Sequence, residues 1–122
     1  MGPEAYIIEP SKISEPAEAW SVRIEGRVTL EEVPNLRRDL LGLVEKASTS
    51  RLVLELGEVA TIDTSGAAVL VEAFLAGRAR GMQVLFCRAS EAVLRLFRLA
   101  GFEEVLGHCC ADVEEVRRRL AG

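Results

Sequence analysis

The chain has 122 residues, of which 49% are hydrophobic and 5% aromatic, and its formal net charge is −4. This length suits a single domain over residues 1–122, and the composition argues against disorder and for a core of aliphatic side chains. The acidic balance argues against nucleic acid as a partner, because nucleic-acid-binding domains concentrate basic residues on one face.

The N-terminal part of the chain predicts two strands that form an antiparallel pair. Ala5–Glu9 is the first strand and ends at Pro10. In the second strand, Trp20–Glu25, apolar and polar side chains alternate, which is typical of a strand with one face in water. Gly26 is predicted to end this strand.

A stripe of apolar side chains predicts the first helix. The stripe consists of Val33, Leu36, Leu40, Leu43, Val44 and Ala47. Thr29–Glu32 fits a capping box, but a helix that began there would hold Pro34 too deep in its interior. We therefore expect the helix to begin near Glu31–Val33, with Pro34 in its first turn.

The middle of the chain predicts a buried strand, a polar turn and a long helix. Leu52–Leu56 is a short apolar run suited to a sheet that is covered on both faces. The turn is Asp63–Gly66, and the helix is Gly66–Arg80. The sheet-facing side of this helix is predicted to consist of Leu70, Ala73, Phe74 and Gly77.

Strands and helices alternate in the C-terminal part. The predicted elements are a strand at Met82–Cys87, a helix from Ser90 to Ala100, a short last strand at Glu104–Leu106 and a helix at Asp112–Leu120. This order predicts an α/β fold: a mixed, mostly parallel sheet of four to five strands, an N-terminal antiparallel pair and about four helices. We expect the second and fourth strands to pack on the first and third helices through Ile24, Leu40, Leu85 and Phe97.

The Asp63–Gly66 turn is the candidate functional site. Its polar side chains are suited to capping the helix, and Gly66 eases the turn. A hydroxyl at a helix N-terminus is also a good place for a phosphate, because free amides and the helix dipole stabilise negative charge there. In open α/β sheets, this edge is where ligands and modifications act.

The helix after this turn is apolar on more than one side. Besides the sheet-facing residues, Ala67, Val71 and Leu75 point elsewhere. They either pack against a neighbouring helix or form an apolar docking strip beside the turn. The same apolar helix allows a weak homodimer.

No residue pattern supports catalysis or a metal site. His108, Cys109 and Cys110 are adjacent and cannot all reach one tetrahedral ion, so we expect them in a loop and at a helix start. His108 is the only histidine, and no glycine-rich phosphate loop is present. We therefore predict no catalytic residue, no metal and no cofactor.

The cysteines and the apolar runs favour a cytoplasmic location. Cys87, Cys109 and Cys110 make a poor disulfide framework, so we expect reduced thiols, with Cys87 packed in the core. No apolar run is long enough to span a bilayer, and no secretory signal pattern follows Met1. We expect no direct membrane insertion.

A response-regulator receiver is a rival from a different class, because Asp63 follows the third strand. That chemistry needs acidic residues after the first strand and a late lysine. Here Glu9 is isolated, and the two lysines, Lys12 and Lys46, are both early. The pattern therefore argues against a receiver.

An ordered set of motifs resembles the STAS domain, the family of anti-sigma factor antagonists. The motifs are Leu54–Leu56, Ile62–Gly66, Arg80–Val84, Ala89–Phe97 and Ala100–Phe102. No single motif is specific, but the set is, and the element order extends the likeness to nearly the whole chain.

The resemblance implies a protein-interaction module. In STAS antagonists the phosphoacceptor is the hydroxyl directly after the aspartate, which falls here on Thr64, with Ser65 as second choice. The implied partner-binding residues are Asp63, Thr64, Ser65, Gly66, Ala67, Val71 and Leu75. Such a chain binds an anti-sigma factor kinase when unphosphorylated, phosphate breaks the complex, and a phosphatase restores it.

The chain departs from the family pattern beside this turn. Kinase-regulated antagonists commonly close the second strand with an aspartate, where this chain has Thr29. The form Asp-Thr-x-Gly followed by Ala67 and Ala68 also resembles the small STAS subunit of Mla-type lipid-transport ABC systems. That subunit binds a transporter ATPase through the same helix, so the two interpretations differ only in the partner.

Overall fold

The computed structural model describes residues 6–122, which form a five-stranded sheet. The strands are β1 (Tyr6–Ile13), β2 (Ala19–Val28), β3 (Arg51–Ile62), β4 (Gln83–Cys87) and β5 (Cys109–Cys110), in that spatial order. β1 runs antiparallel to β2, and the later neighbours are parallel. The predicted mixed, mostly parallel sheet with an N-terminal antiparallel pair is confirmed.

Helices connect the strands from β2 onwards. They are α1 (Val33–Lys46), α2 (Thr64–Ala79), α3 (Glu91–Leu99), α4 (Glu103–Leu106) and α5 (Val113–Ala121). α1 begins at Val33 with Pro34 in its first turn, as predicted. The capping box is also present. It caps a short 3₁₀ turn, Leu30–Glu32, that precedes α1, so it does not conflict with the later start of the helix.

Two apolar clusters hold the layers together. The larger cluster joins α1, α2, α3 and α4 to one face of the sheet, and Phe74 and Phe97 are among its largest buried side chains. The smaller cluster lies on the opposite face, where α5 places Val116 and Leu120 over β3, β4 and β5. The sheet is therefore covered unequally, with α2 central to the larger layer.

The predicted core positions are confirmed for Ile24, Leu40 and Phe97 and wrong for Leu85. Successive side chains on a strand point to opposite faces, and Phe86 is the residue that faces α3. The ring centroids of Phe86 and Phe97 lie 5.5 Å apart. Leu85 lies under α5, and because β4 is apolar on both faces, its sequence has no alternation that shows which side faces α3.

The predicted last strand at Glu104–Leu106 is wrong. That segment forms α4, and the last strand is Cys109–Cys110, where we expected a loop and a helix start. The strand is defined by its pairing with β4, in which Phe86 N donates to His108 O at 2.9 Å. Two residues are too few to produce a strand pattern in the sequence.

The first three strands run further than predicted. β1 continues through Pro10, which an edge strand tolerates because its outer side needs no amide donor. β2 passes Gly26, where the pairing with β3 shifts and φ is +93°. β3 extends to Ile62, so that its end reaches the end of β2. Ala5, predicted to start the first strand, lies outside the described residues.

A polar contact ties the end of α2 to the residue before β5. Arg78 Nη1 lies 3.2 Å from His108 Nε2, and the His108 ring packs on Phe74 with centroids 4.9 Å apart. A guanidinium can only donate hydrogen bonds, so a hydrogen bond at this contact requires His108 Nε2 to carry no proton. Burial, and then the positive charge of Arg78, lower the pKa of His108.

We expect acid to destabilise the wild-type chain more than a His108→Gln variant. Folding lowers the pKa of His108 from 6.5. Just below pH 6.5, His108 is therefore protonated in the unfolded chain and still neutral in the folded chain. The free energy of unfolding of the wild-type chain therefore decreases as the pH is lowered through that window. The difference from the variant levels off below the pKa that His108 has in the folded chain. Urea denaturation between about pH 7.5 and pH 5 measures this; parallel profiles would contradict it.

Candidate functional site

The Asp63–Gly66 turn lies at the carboxyl ends of β2 and β3. Asp63 Oδ1 accepts a hydrogen bond from Gly66 N at 2.9 Å, which caps α2, and Asp63 Oδ2 accepts one from Leu30 N at 3.0 Å. The backbone adds a bond from Asp63 N to Val28 O at 3.4 Å. One carboxylate therefore fixes both the start of α2 and the 3₁₀ turn after β2.

Thr64 is the first residue of α2, and its side chain is exposed. Ser65, the second candidate hydroxyl, is only partly exposed. The first turn of any α-helix has amides without helical partners, and these favour negative charge nearby. Of the two hydroxyls, Thr64 is the more accessible to a modifying enzyme.

Gly66 lets the first turn of α2 lie directly on the end of β2. A Cβ added at Gly66 would lie 1.9 Å from Val28 O and 2.7 Å from Val28 Cγ1. The backbone oxygen cannot swing away as the end of a long side chain can. Any side chain at Gly66 must therefore push α2 away from β2.

A buried carboxylate that no sequence pattern assigned to the site lies beside this turn. Glu32 Oε1 accepts hydrogen bonds from Thr29 Oγ1 at 2.6 Å and Thr29 N at 3.2 Å, and Arg27 Nε lies 3.4 Å from Glu32 Oε2. The Thr29 hydroxyl is the main reason that the pKa of Glu32 lies below its usual range. In the sequence, the capping-box spacing from Thr29 pointed to Glu32, whereas no pattern singled out Arg27.

The docking strip expected on α2 is wrong at Ala67 and Val71. Both side chains are buried in the larger core cluster, because α1 packs along that side of α2. Leu75 is exposed, at 53%. The exposed residues of α2 that continue from Thr64 are Ala68, Leu75, Arg78 and Ala79.

An ion pair and an apolar side chain border this exposed face. Arg37 on α1 donates to both carboxylate oxygens of Glu72 on α2, with Nε–Oε1 at 2.8 Å and Nη2–Oε2 at 2.6 Å. These hydrogen bonds lower the pKa of Glu72. Leu30, which contacts the Asp63 carboxylate through its amide, is 66% exposed.

The cysteines lie away from this site. Cys87 and Cys110 occupy paired positions on β4 and β5 and are buried as free thiols. Burial is the main cause that raises the pKa of Cys87 to about 12, so its reactive thiolate is scarce at neutral pH. Residues 6–122 contain no group of three or more potential metal ligands.

Within residues 6–122, no helix is both long enough and apolar enough to cross a membrane.

Known proteins resemble this chain in sequence and in fold. A model of the family described as STAS domain matches residues 12–116. The anti-sigma-B factor antagonist of Bacillus subtilis (strain 168) is 28% identical over 85 residues, which cover 70% of this chain and 76% of that protein.

Solved structures share the architecture at lower identity. An anti-sigma factor antagonist from Mycobacterium paratuberculosis has a TM-score of 0.76 and 16% identity, covering 99% of this chain and 98% of that one. The Bacillus cell fate determinant SpoIIAA in its phosphorylated form has a TM-score of 0.65 and 14% identity, covering 92% of this chain and 99% of that one. Identities this low show a common fold.

Replacing Gly66 with alanine is expected to destabilise the protein, whereas the same change at Gly42 is not. At Gly66 the new methyl group meets backbone, and we expect the free energy of unfolding to fall by about 2–3 kcal/mol. At Gly42, inside α1, an added Cβ meets nothing within 4 Å, so alanine should stabilise the helix by up to about 1 kcal/mol. Urea denaturation measures both variants, and equal effects would contradict the close contact between α2 and β2.

Proposed function

The chain belongs to the STAS domain family, and we propose that it acts there as an anti-sigma factor antagonist. In this proposal it is a cytoplasmic protein-interaction module rather than an enzyme, and its partner is an anti-sigma factor kinase. One observation carries the proposal: Thr64 presents an exposed hydroxyl on the first turn of α2, beside the exposed face of that helix. The Bacillus subtilis relative supports this choice among the functions of STAS domains.

The partner is proposed to dock on the start and the exposed face of α2. Thr64, Ala68 and Leu75 share one side of the helix, because residues four and seven positions apart project in similar directions. Small side chains near the start of α2 allow a close approach, and Leu30 and Leu75 add exposed apolar area. The Arg37–Glu72 ion pair places fixed charges at the edge of this face, and such charges favour one orientation of the partner.

Phosphorylation of Thr64 is the proposed off switch. The kinase transfers the γ-phosphoryl group of a nucleoside triphosphate: a bond forms from Thr64 Oγ1 to phosphorus, and the bond from phosphorus to the diphosphate oxygen breaks. A base on the kinase takes the hydroxyl proton, and the nucleoside diphosphate leaves. The product carries about −1.5 to −2 charges at pH 7, which a surface complementary to the neutral hydroxyl cannot bury without cost.

A pull-down from native cell extract tests the switch with wild-type, Thr64→Glu and Thr64→Ala proteins. We expect Thr64→Glu to weaken kinase capture about tenfold or more, because it places a negative charge inside the docking surface. Thr64→Ala should retain binding. Ser11→Glu is the matched control, because it adds the same charge at an exposed position of β1. Mass spectrometry identifies the partners and any phosphate.

Two outcomes would overturn the proposal. Equal kinase recovery with Thr64→Glu and Thr64→Ala would exclude a charge-operated switch at Thr64. Recovery of a transporter ATPase, with no phosphate on Thr64 or Ser65, would instead assign the chain to an Mla-type lipid-transport system. That assignment agrees with Thr29, which stands where kinase-regulated antagonists commonly have an aspartate.

A further inference from the structure

Arg27 lies at the end of β2, beside the turn that carries Thr64. It pairs with Thr61 in the parallel register of β2 and β3, so both segments end at the same edge of the sheet. The Arg27 side chain is 54% exposed. Arg27 and Asp63 line one shallow pocket of about 330 Å³, and Thr64 is the residue that follows Asp63.

The charges around this pocket are predominantly negative. The pocket is lined by Arg27, Thr29, Leu30, Glu31 and Asp63, and the carboxylate of Glu32 is bonded to Thr29. Arg27 is therefore the one cation in the lining, against the carboxylates of Glu31 and Asp63. A phosphate on Thr64 would be repelled by these carboxylates, and Arg27 is the group in the lining that can offset the repulsion.

A single long contact holds Arg27 to Glu32. Its contact with Glu32 runs from Nε to Oε2 at 3.4 Å, which is long for a charge-assisted hydrogen bond. Glu32 has two further hydrogen bonds, from the hydroxyl and the amide of Thr29. Both of these bonds go to Oε1, so if Arg27 moves away the carboxylate keeps two hydrogen bonds, while Oε2 loses its contact with Arg27 and needs another donor.

We propose that Arg27 is the counter-ion of a phosphate on Thr64 and moves to it from Glu32 on phosphorylation. This inference rests on the proposed function, in which Thr64 is the phosphoacceptor. Arg27 keeps the phosphate dianionic near neutral pH against the charges of Asp63 and Glu31. The phosphate is then held in its doubly ionised form at the start of α2.

Phosphorus-31 NMR of the full chain, synthesised with phosphothreonine at position 64, tests the role of Arg27. With Arg27 present, we expect the second pKa of the phosphate to lie below its usual value of about 6. Arg27→Gln should raise that pKa by about one unit, whereas Arg27→Lys should keep most of the lowering because it keeps the charge. Arg37→Gln is the matched control: it removes the same charge from the ion pair with Glu72, two turns further along α2, and should shift the midpoint much less.

A second readout uses the unmutated protein. In the wild-type chain, the nitrogen-15 resonance of Arg27 Nε should change when Thr64 carries phosphate, because the atom exchanges a carboxylate for a phosphate. An unchanged resonance would overturn the proposal even if the glutamine variant did not fold. Equal phosphate midpoints in wild-type and Arg27→Gln chains, or an equal shift in Arg37→Gln, would overturn it as well.

The test separates this inference from the proposed function. Synthesis installs the phosphate, so the titration measures the effect of Arg27 whether or not any kinase acts on the chain. Unmodified Thr64 in cells, together with unchanged partner binding by Thr64→Glu, would instead overturn the switch itself.

Discussion

The close contact between the start of α2 and the end of β2 is the constraint on which the site depends. Gly66 has no Cβ, so the helix lies directly against Val28 O, where a Cβ would be 1.9 Å away. The Asp63 carboxylate then joins α2 to the 3₁₀ turn by accepting from two backbone amides; a helix cap of this kind contributes about 1 kcal/mol. With its neighbours held on both sides, Thr64 projects its hydroxyl into water from a rigid element.

The central position of α2 explains why its exposed surface is narrow. The helix packs on the sheet and along α1, so that eight of its residues are buried, including Ala67 and Val71. What remains is a strip that begins at Thr64 and continues through Ala68 to Leu75. In the proposed function, a docking surface this narrow includes Thr64, so a phosphate on that residue would lie inside the contact. Rigid elements also present such a surface at little entropic cost.

A buried carboxylate, that of Glu32, lies beside the Asp63–Gly66 turn. Thr29 stands where kinase-regulated antagonists commonly have an aspartate, yet the carboxylate of Glu32 lies 2.6 Å from its hydroxyl. The capping box that orders the 3₁₀ turn also brings this acid to the site. The same network holds Arg27 beside the Asp63–Gly66 turn, so local backbone order and the charge balance of the site have a common origin in the Thr29–Glu32 pair.

The sequence by itself determined the class of fold, the start of α1 and the place of the Asp63–Gly66 turn, because periodicity, capping residues and glycine act over a few neighbouring positions. Only the tertiary structure decided which side of β4 faces α3, that Cys109–Cys110 is a strand, and that Ala67 and Val71 are buried. Each of these depends on partners that are distant in the chain: an element apolar on both sides carries no sign of its orientation, and a two-residue strand exists only through its pairing. Arg27 likewise lines one pocket with Asp63, the residue before Thr64, only because β2 and β3 end side by side, a relation that no local pattern contains.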